Sequence, residues 1–194
     1  MSSIKIVKKN ERTPSLWSGG KTTQLAIFPK DADYSVRNFN WRISTAIVEV
    51  EDSLFTHLPG INRVIMILDG EMYLDHEGHH SVFLKPFEQD RFDGGWTTRS
   101  KGKVTDFNLM LAKGYDGELI AIHLEKDNPD VSLALNGQAE VFYCVAGFVR
   151  VVTSDEEIFI LEKGDTMILN SKIKNITLQN DEDINASVIR ASIY

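Results

Sequence analysis

Several short segments of this chain combine residue types that could do chemistry. Gly19-Gly-Lys-Thr22 has the ending of a phosphate-binding loop, in which glycine amides and a lysine cradle an anion. That loop needs a further glycine where Ser15 stands, and a helix where Gln24-Leu-Ala-Ile-Phe28 reads as a strand. A nucleotide loop is therefore not expected. Two readings of the segment remain: a Gly-Gly turn whose amides and Lys21 border a pocket, or a tight turn between strands with Lys21 solvated. Asp106-Phe-Asn108 sets two polar residues on one face of a strand, by the period of two. If that face is interior the pair needs partners, and Arg63 or Arg91 would serve. Trp17 and Trp41 either line a ligand cavity or fill the core.

Other candidates carry less. Asp75-His-Glu-Gly-His-His80 gathers three of the five histidines around a turn glycine, which reads as a solvated hairpin tip, with metal binding as the alternative. His123 alternates with apolar neighbours and is expected to be a packed histidine. No Gly-x-Ser-x-Gly elbow is present, and Ser18 has no base beside it. Acid–base chemistry through Glu140 or His57 stays open.

The elements that would position these residues read as strands. Arg63–Leu68, Leu119–Leu124, Val149–Val152 and Ser187–Ile193 are short apolar or alternating runs. Turn pairs fall between such runs at Asp69-Gly70, Glu77-Gly78, Gly94-Gly95, Asn136-Gly137, Ala146-Gly147 and Lys163-Gly164. No apolar stripe of helical period lasts three turns, so an all-β sandwich or barrel with little helix is expected. The chain also matches itself at an offset of 77 residues: Leu58 falls on Leu135, Val64 on Val141, Gly70 on Gly147 and Leu84 on Leu161. Two homologous β-modules in tandem would produce this.

Composition narrows the function classes. The 194 residues hold 21 basic and 28 acidic side chains, a net charge of −7, which argues against a duplex nucleic-acid binder. Residues 1–112 hold 14 of each sign, so the whole excess lies in residues 113–194. No run approaches a membrane span, and the first ten residues lack an apolar signal segment; a soluble cytoplasmic protein is expected. The single cysteine, Cys144, excludes an internal disulfide and reads as a small buried hydrophobe.

Six motifs in order carry a resemblance: Trp17-Ser-Gly-Gly-Lys-Thr22, Trp41-Arg-Ile-Ser44, Leu58-Pro-Gly-Ile-Asn-Arg63, Leu68-Asp-Gly70, Arg91-Phe-Asp-Gly94 and Asp106-Phe-Asn-Leu-Met110. With them the chain resembles the HutD/Ves family of the cupin superfamily, HutD being the protein of histidine-utilisation operons and Ves a stress-induced protein. The resemblance implies a bicupin: two tandem cupin-like β-barrels of jelly-roll type, an N-terminal barrel over residues 1–112 and a C-terminal one over 113–194. Cupin enzymes hold a metal through histidines and a glutamate. Counted from Gly70, those positions hold His57, Pro59, Arg63 and Thr98, and in the second module Ala134, Asn136, Glu140 and Asn175. No metal and no cofactor are therefore expected.

Arg63 puts a fixed positive charge where a cupin keeps a cation, and its planar fork suits a carboxylate. The competing reading is a structural ion pair with Asp93 or Asp106. The ligand-binding set implied is Arg63 as anchor, Asp106, Asn108 and Arg91 as polar neighbours, and Trp17, Lys21 and Trp41 as rim. The preferred function is a non-catalytic sensor or regulator that binds a small anionic metabolite, formylglutamate-like, in histidine utilisation or stress response. A cupin-type isomerase or hydrolase acting on a small carboxylate is the second reading. A structural protein, with the second barrel as dimer surface, is the third, and by analogy with cupins a homodimer is a candidate state.

Overall fold

The computed structural model describes residues 4–127, 129–180 and 184–194. Apart from 3-10 turns at Lys9–Glu11 and Tyr34–Val36, its regular elements are strands. They are β1 (Ile4–Val7), β2 (Ser15–Trp17), β3 (Gly20–Phe28), β4 (Trp41–Val48), β5 (Asp52–Leu54), β6 (Ile61–Asp69), β7 (Met72–His76), β8 (Ser81–Leu84), β9 (Gln89–Asp93) and β10 (Thr98–Lys101). There follow β11 (Thr105–Ala112), β12 (Gly117–Leu124), β13 (Asp130–Ala134), β14 (Ala139–Ala146), β15 (Phe148–Thr153), β16 (Ile158–Glu162), β17 (Thr166–Asn170), β18 (Asn175–Gln179) and β19 (Ala186–Ile193).

The chain divides into two compact units, residues 12–115 and residues 4–11 with 116–194. In the first, β2-β3-β4-β11-β6-β9 form a six-stranded sheet and β5-β10-β7-β8 a four-stranded one. In the second, β1-β17-β14-β19-β12 form a five-stranded sheet and β13-β18-β15-β16 a four-stranded one. The order β4-β11-β6-β9 reappears as β12-β19-β14-β17, and β5-β10-β7-β8 as β13-β18-β15-β16. One antiparallel topology is thus used twice, and the 77-residue offset carries β6 onto β14 and β7 onto β15.

Within each unit the sheets meet through apolar side chains. Val48, Ile65, Ile67 and Phe92 of the six-stranded sheet pack with Met72, Leu74 and Leu84 of its partner. In the second unit Phe142, Cys144, Met167 and Val188 pack with Val149, Val151, Leu161 and Leu178. Cys144 is fully buried, and burial beside Asp165 pushes its thiol up to about 12, so it is a core residue and not a nucleophile.

The N-terminal strand does not stay with the residues that follow it. β1 pairs antiparallel with β17, Ile4 opposite Leu169, and so extends the second unit's sheet. The grouping therefore differs from an N-terminal module running from residue 1. Lys8 explains part of the preference: its Nζ donates to Asp165 Oδ2 at 2.6 Å, while the Lys9 amide donates to Asp165 Oδ1 at 3.0 Å.

A charged knot lies in the second unit. Glu140, 1% exposed, accepts hydrogen bonds from Arg190 Nε and Nη2, each at 2.9 Å, from Ser192 Oγ at 2.7 Å and from the Gly137 amide at 3.0 Å. Burial alone would raise its carboxyl; these donors outweigh burial and hold it below the ordinary value. The stabilisation is therefore complete above the unfolded carboxylate's range and is lost as pH falls through the lowered folded value. Arg190→Ala strands the carboxylate, and the unfolding free energy of this unit in urea is expected to fall by about 3–5 kcal/mol at neutral pH.

Candidate functional site

The six-stranded sheet has two differently built faces. On β6, Ile65 and Ile67 point between the sheets, so Arg63 points there too, by the period of two. Across β11, Met110 stands opposite both Arg42 and Arg63, Asn108 opposite Ser44 and Ile65, and Asp106 opposite Ala46 and Ile67. Arg42, Ser44 and Ala46 of β4, Asp106, Asn108 and Met110 of β11 and Arg63 of β6 consequently share one inward face. Together with Thr22 and Gln24 of β3 they line a cavity of about 790 Å³, within the size range of small-molecule sites.

Shorter elements make its other walls. Trp17 and Leu16 come from β2, Leu54 and Phe55 from β5 and the loop after it, and Tyr34 from the 3-10 turn. Asp33 caps that turn by accepting the Ser35 amide at 2.7 Å, and Arg37 closes it in the left-handed conformation. The turn sets the Tyr34 ring 4.2 Å from the Arg42 guanidinium. Arg42 also donates from Nε to Gln24 Oε1 at 2.9 Å and from Nη1 to Ser44 Oγ at 3.0 Å.

Arg63 is held differently. Its guanidinium lies 4.8 Å from the Phe55 ring and 5.0 Å from the Phe92 ring, yet its buried Nε has no hydrogen-bond partner. Desolvation pushes it down to about 10, against the opposing field of Asp106. Asp106 is buried as well: burial pushes its carboxyl up to about 7, although Arg63 and the Ala46 amide favour the ionised form. The Asn108 Oδ1 is buried without a partner. The cavity thus concentrates two guanidiniums, a buried carboxyl held well above its ordinary value, and polar atoms left unsatisfied.

Arg63, Asp106, Asn108 and Trp17 are brought together here, whereas Arg91, Lys21 and Trp41 do not line the cavity. Arg91 alternates with Phe92, which points into the core, so it lies on the opposite face of β9. Lys21 stands opposite Ile47 and alternates with the lining residues Thr22 and Gln24. Trp41 alternates with Arg42 and stacks on Phe28 at 5.8 Å, as a core aromatic. The Gly-Gly turn has a packing reason, because a Cβ on Gly19 would collide with the Trp17 indole and one on Gly20 with the Ile47 carbonyl. Of the two ion pairs weighed for Arg63, neither forms: Asp93 Oδ1 accepts the Gly95 amide at 2.7 Å, and Asp106 acts on Arg63 through its field. His123, expected to be packed, is exposed, with Nδ1 3.0 Å from Ser187 Oγ. Arg42, Ser44 and Gln24 are site residues that residue type alone passed over. The signal for the first two was the Arg-x-Ser alternation inside Trp41–Ser44.

A model of the HutD family matches residues 8–186. The chain belongs to the HutD family. Among curated proteins, an uncharacterised 21.2 kDa protein in the hutC 3' region of Pseudomonas putida is 30% identical over 118 residues, 58% of this chain and 60% of that protein. Protein Ves of Escherichia fergusonii is 30% identical over 103 residues, 50% of this chain and 51% of Ves. The chain therefore matches about half to three-fifths of the length of these relatives. Two solved structures resemble the whole fold. A conserved protein of unknown function from Pseudomonas aeruginosa has TM-score 0.86 at 21% identity over 99% of both chains. HutD from Pseudomonas fluorescens has TM-score 0.76 at 22% identity over 98% of this chain and 99% of that one. Bacillus subtilis oxalate decarboxylase, described with Mn(II) centres, has TM-score 0.68 at 8% identity over 96% of this chain and 76% of that one, which marks the HutD fold as cupin-like.

The cavity of this HutD-family chain does not fit a cupin metal. Its lining offers no imidazole and no thiolate, and its carboxylates are Asp33, committed to the turn, and Asp106, beside Arg63. His57 is exposed and outside the lining. Glu140, the matching residue of the second unit, is consumed by Arg190, Ser192 and Gly137.

The raised Asp106 value has a definite sign. Between the unfolded carboxyl near 3.8 and the folded value of about 7, the native chain binds more protons than the unfolded one, so this group's contribution to stability falls as pH rises. Asp106→Asn is expected to flatten that decline, read as the pH dependence of the urea midpoint of wild type against variant. An unchanged pH dependence would contradict the buried, protonatable carboxyl.

Proposed function

We propose that this chain is a bicupin, each unit a cupin-type jelly-roll barrel, that binds a small anionic metabolite in the first unit without a metal and without catalysis. The observation that carries the reading is the buried Arg63 guanidinium, open to the cavity and without a hydrogen-bond partner. A carboxylate offers the two parallel acceptors that such a fork lacks. Arg42 adds positive charge on the same face, and the Cα atoms of the two arginines are about 10 Å apart, since they flank β11. Asn108 and the Asp106 carboxyl supply neutral donors and acceptors for the rest of the ligand. No residue pair around the cavity resembles an activated nucleophile with its base, which favours binding over turnover.

Membership in the HutD family supports a role linked to histidine utilisation, as a cytoplasmic sensor whose ligand is a formylglutamate-like acid, and a homodimer remains the candidate assembly. The alternative, an isomerase or hydrolase on a small carboxylate, rests on Asp106, whose value of about 7 suits a general acid or base.

Titration calorimetry with glutamate, formylglutamate, formiminoglutamate and urocanate tests the reading. At least one should bind, and Arg63→Met should weaken it about 10- to 100-fold, the worth of a charge-assisted hydrogen bond. The same variant should unfold at equal or higher temperature, because methionine removes a desolvated, unpaired charge. Unaltered binding in Arg63→Met would sink the anchor, and turnover of the bound compound would favour the enzyme.

A further inference from the structure

A second constellation lies outside the cavity, where the turn joining β7 to β8 meets β9. His76 Nε2 is 2.8 Å from Asp90 Oδ2, and His80 Nε2 is 3.1 Å from Oδ1 and 3.2 Å from Oδ2 of the same carboxylate. Among the described residues these three side chains place one ligand atom each within 4.8 Å of one another. We propose that His76, His80 and Asp90 form a binding site for a divalent first-row transition ion of the zinc type.

The chemistry of the donors points that way. Two imidazoles and one carboxylate are a ligand set that zinc and its neighbours accept, with bonds of about 2.0–2.2 Å. In a tetrahedral arrangement, bonds of that length put donor atoms about 3.3 Å apart. The two nitrogen–carboxylate spacings need to open by only a few tenths of an ångström, and the third pair of donors already lies within 4.8 Å. The two rings converge on one carboxylate with the same nitrogen, Nε2, so an ion in the middle replaces two competing hydrogen bonds with three coordinate bonds.

The surroundings orient the first ring as a ligand. His76 is only 1% exposed, and its Nδ1 lies 2.8 Å from Thr98 Oγ1, the residue directly opposite on β10. An ion that displaces the Nε2 proton would take the Nε2 lone pair while Nδ1–H donates to that hydroxyl, the outer support metal-bound histidines commonly have. Phe92, with its centroid 4.5 Å from the His76 ring, and Trp96, at 5.7 Å, fix the plane of that ring. His79 has another occupation: it stacks on Trp96 at 3.7 Å. The tip is therefore not the uniformly solvated turn that its composition suggests, since its first histidine is core. His80 is half exposed, which leaves a path for the ion and a fourth position for water.

The ion would be a staple. β7 and β8 belong to the four-stranded sheet and β9 to the six-stranded one, so one metal would tie the two sheets of the first unit together at that edge. The site shares no residue with the cavity lining, and it stands or falls independently of carboxylate binding.

Zinc alone is the probe, titrated into the full chain after chelation, with a competing chromophoric chelator to read affinity and thermal unfolding to read stability. One equivalent should bind, Tm should rise with zinc concentration, and cobalt in its place should give the intense visible bands of a four- or five-coordinate site. His80→Ala and Asp90→Asn, which spare the buried His76, should fold in the absence of metal yet bind zinc about tenfold or more weakly. His79→Ala should bind as wild type does. Absence of stoichiometric uptake overturns the proposal, as does wild-type affinity in His80→Ala or Asp90→Asn.

Discussion

A guanidinium buried without a hydrogen-bond partner is the interaction on which the first unit turns. Transferring a cation from water to a protein interior is costly, and folded chains offset that cost with a counter-ion and a filled set of acceptors. Arg63 has neither in full. Two aromatic faces lie over it, from Phe55 and Phe92, and its counter-charge is Asp106, which burial pushes up to about 7. Each member favours the other's charged form, but the burial of both works against it. A half-satisfied polar network is the least favourable way to fill an interior, so the cluster fits an interior arranged for a group that arrives from outside.

The second unit shows the same fold with that tension resolved. At the 77-residue offset Arg63 becomes Glu140, and the strand registers place Arg190 where the first unit has Asn108, and Ser192 where it has Met110. Charge at this point of the sheet is thus common to both units, but its treatment is opposite. Glu140 receives a two-pronged arginine, a hydroxyl and an amide, and its surroundings close around it. In the first unit the corresponding residues are an amide whose oxygen is unpartnered and a thioether, neither of which can neutralise a guanidinium. The excess acidity of residues 113–194 is therefore no guide to a site, because Glu140 and Asp165, the buried acids among the described residues there, are already answered.

Much of this was legible before the structure. The strand pattern, the turn glycines and the offset foretold one topology used twice, and the period of two put Asp106 and Asn108 on one face. Periodicity could not say which face is the inner one on β4, because both are buried: Trp41, Ile43 and Thr45 on one side, Arg42 and Ser44 on the other. Bulk favoured Trp41, and the arginine beside it was missed. Lys21 and Arg91 failed for the same reason of parity, each being one residue out of phase with the cavity. The place of β1 was hidden more deeply, since its partner β17 lies some 160 residues away and no local pattern encodes that choice.

The contrast between the two arginines of the cavity carries the synthesis one step further. Arg42 is pinned by Gln24, Ser44 and the Tyr34 ring, and Gln24 sits beside a bulge that shifts the β3 register between Gln24 and Ala26. Its direction is set before any ligand enters, and its charge is a fixed part of the wall. Arg63 keeps its donors free, on a central strand whose backbone is locked by β11 and β9 on either side. A rigid strand with an uncommitted guanidinium makes an anchor, whereas a guanidinium already bonded to neutral side chains makes a field. On the proposed reading, discrimination among anions falls to the short elements around the mouth. Tyr34 sits on its capped turn and Trp17 lies over Gly19, both outside the strands that lock Arg63 in place.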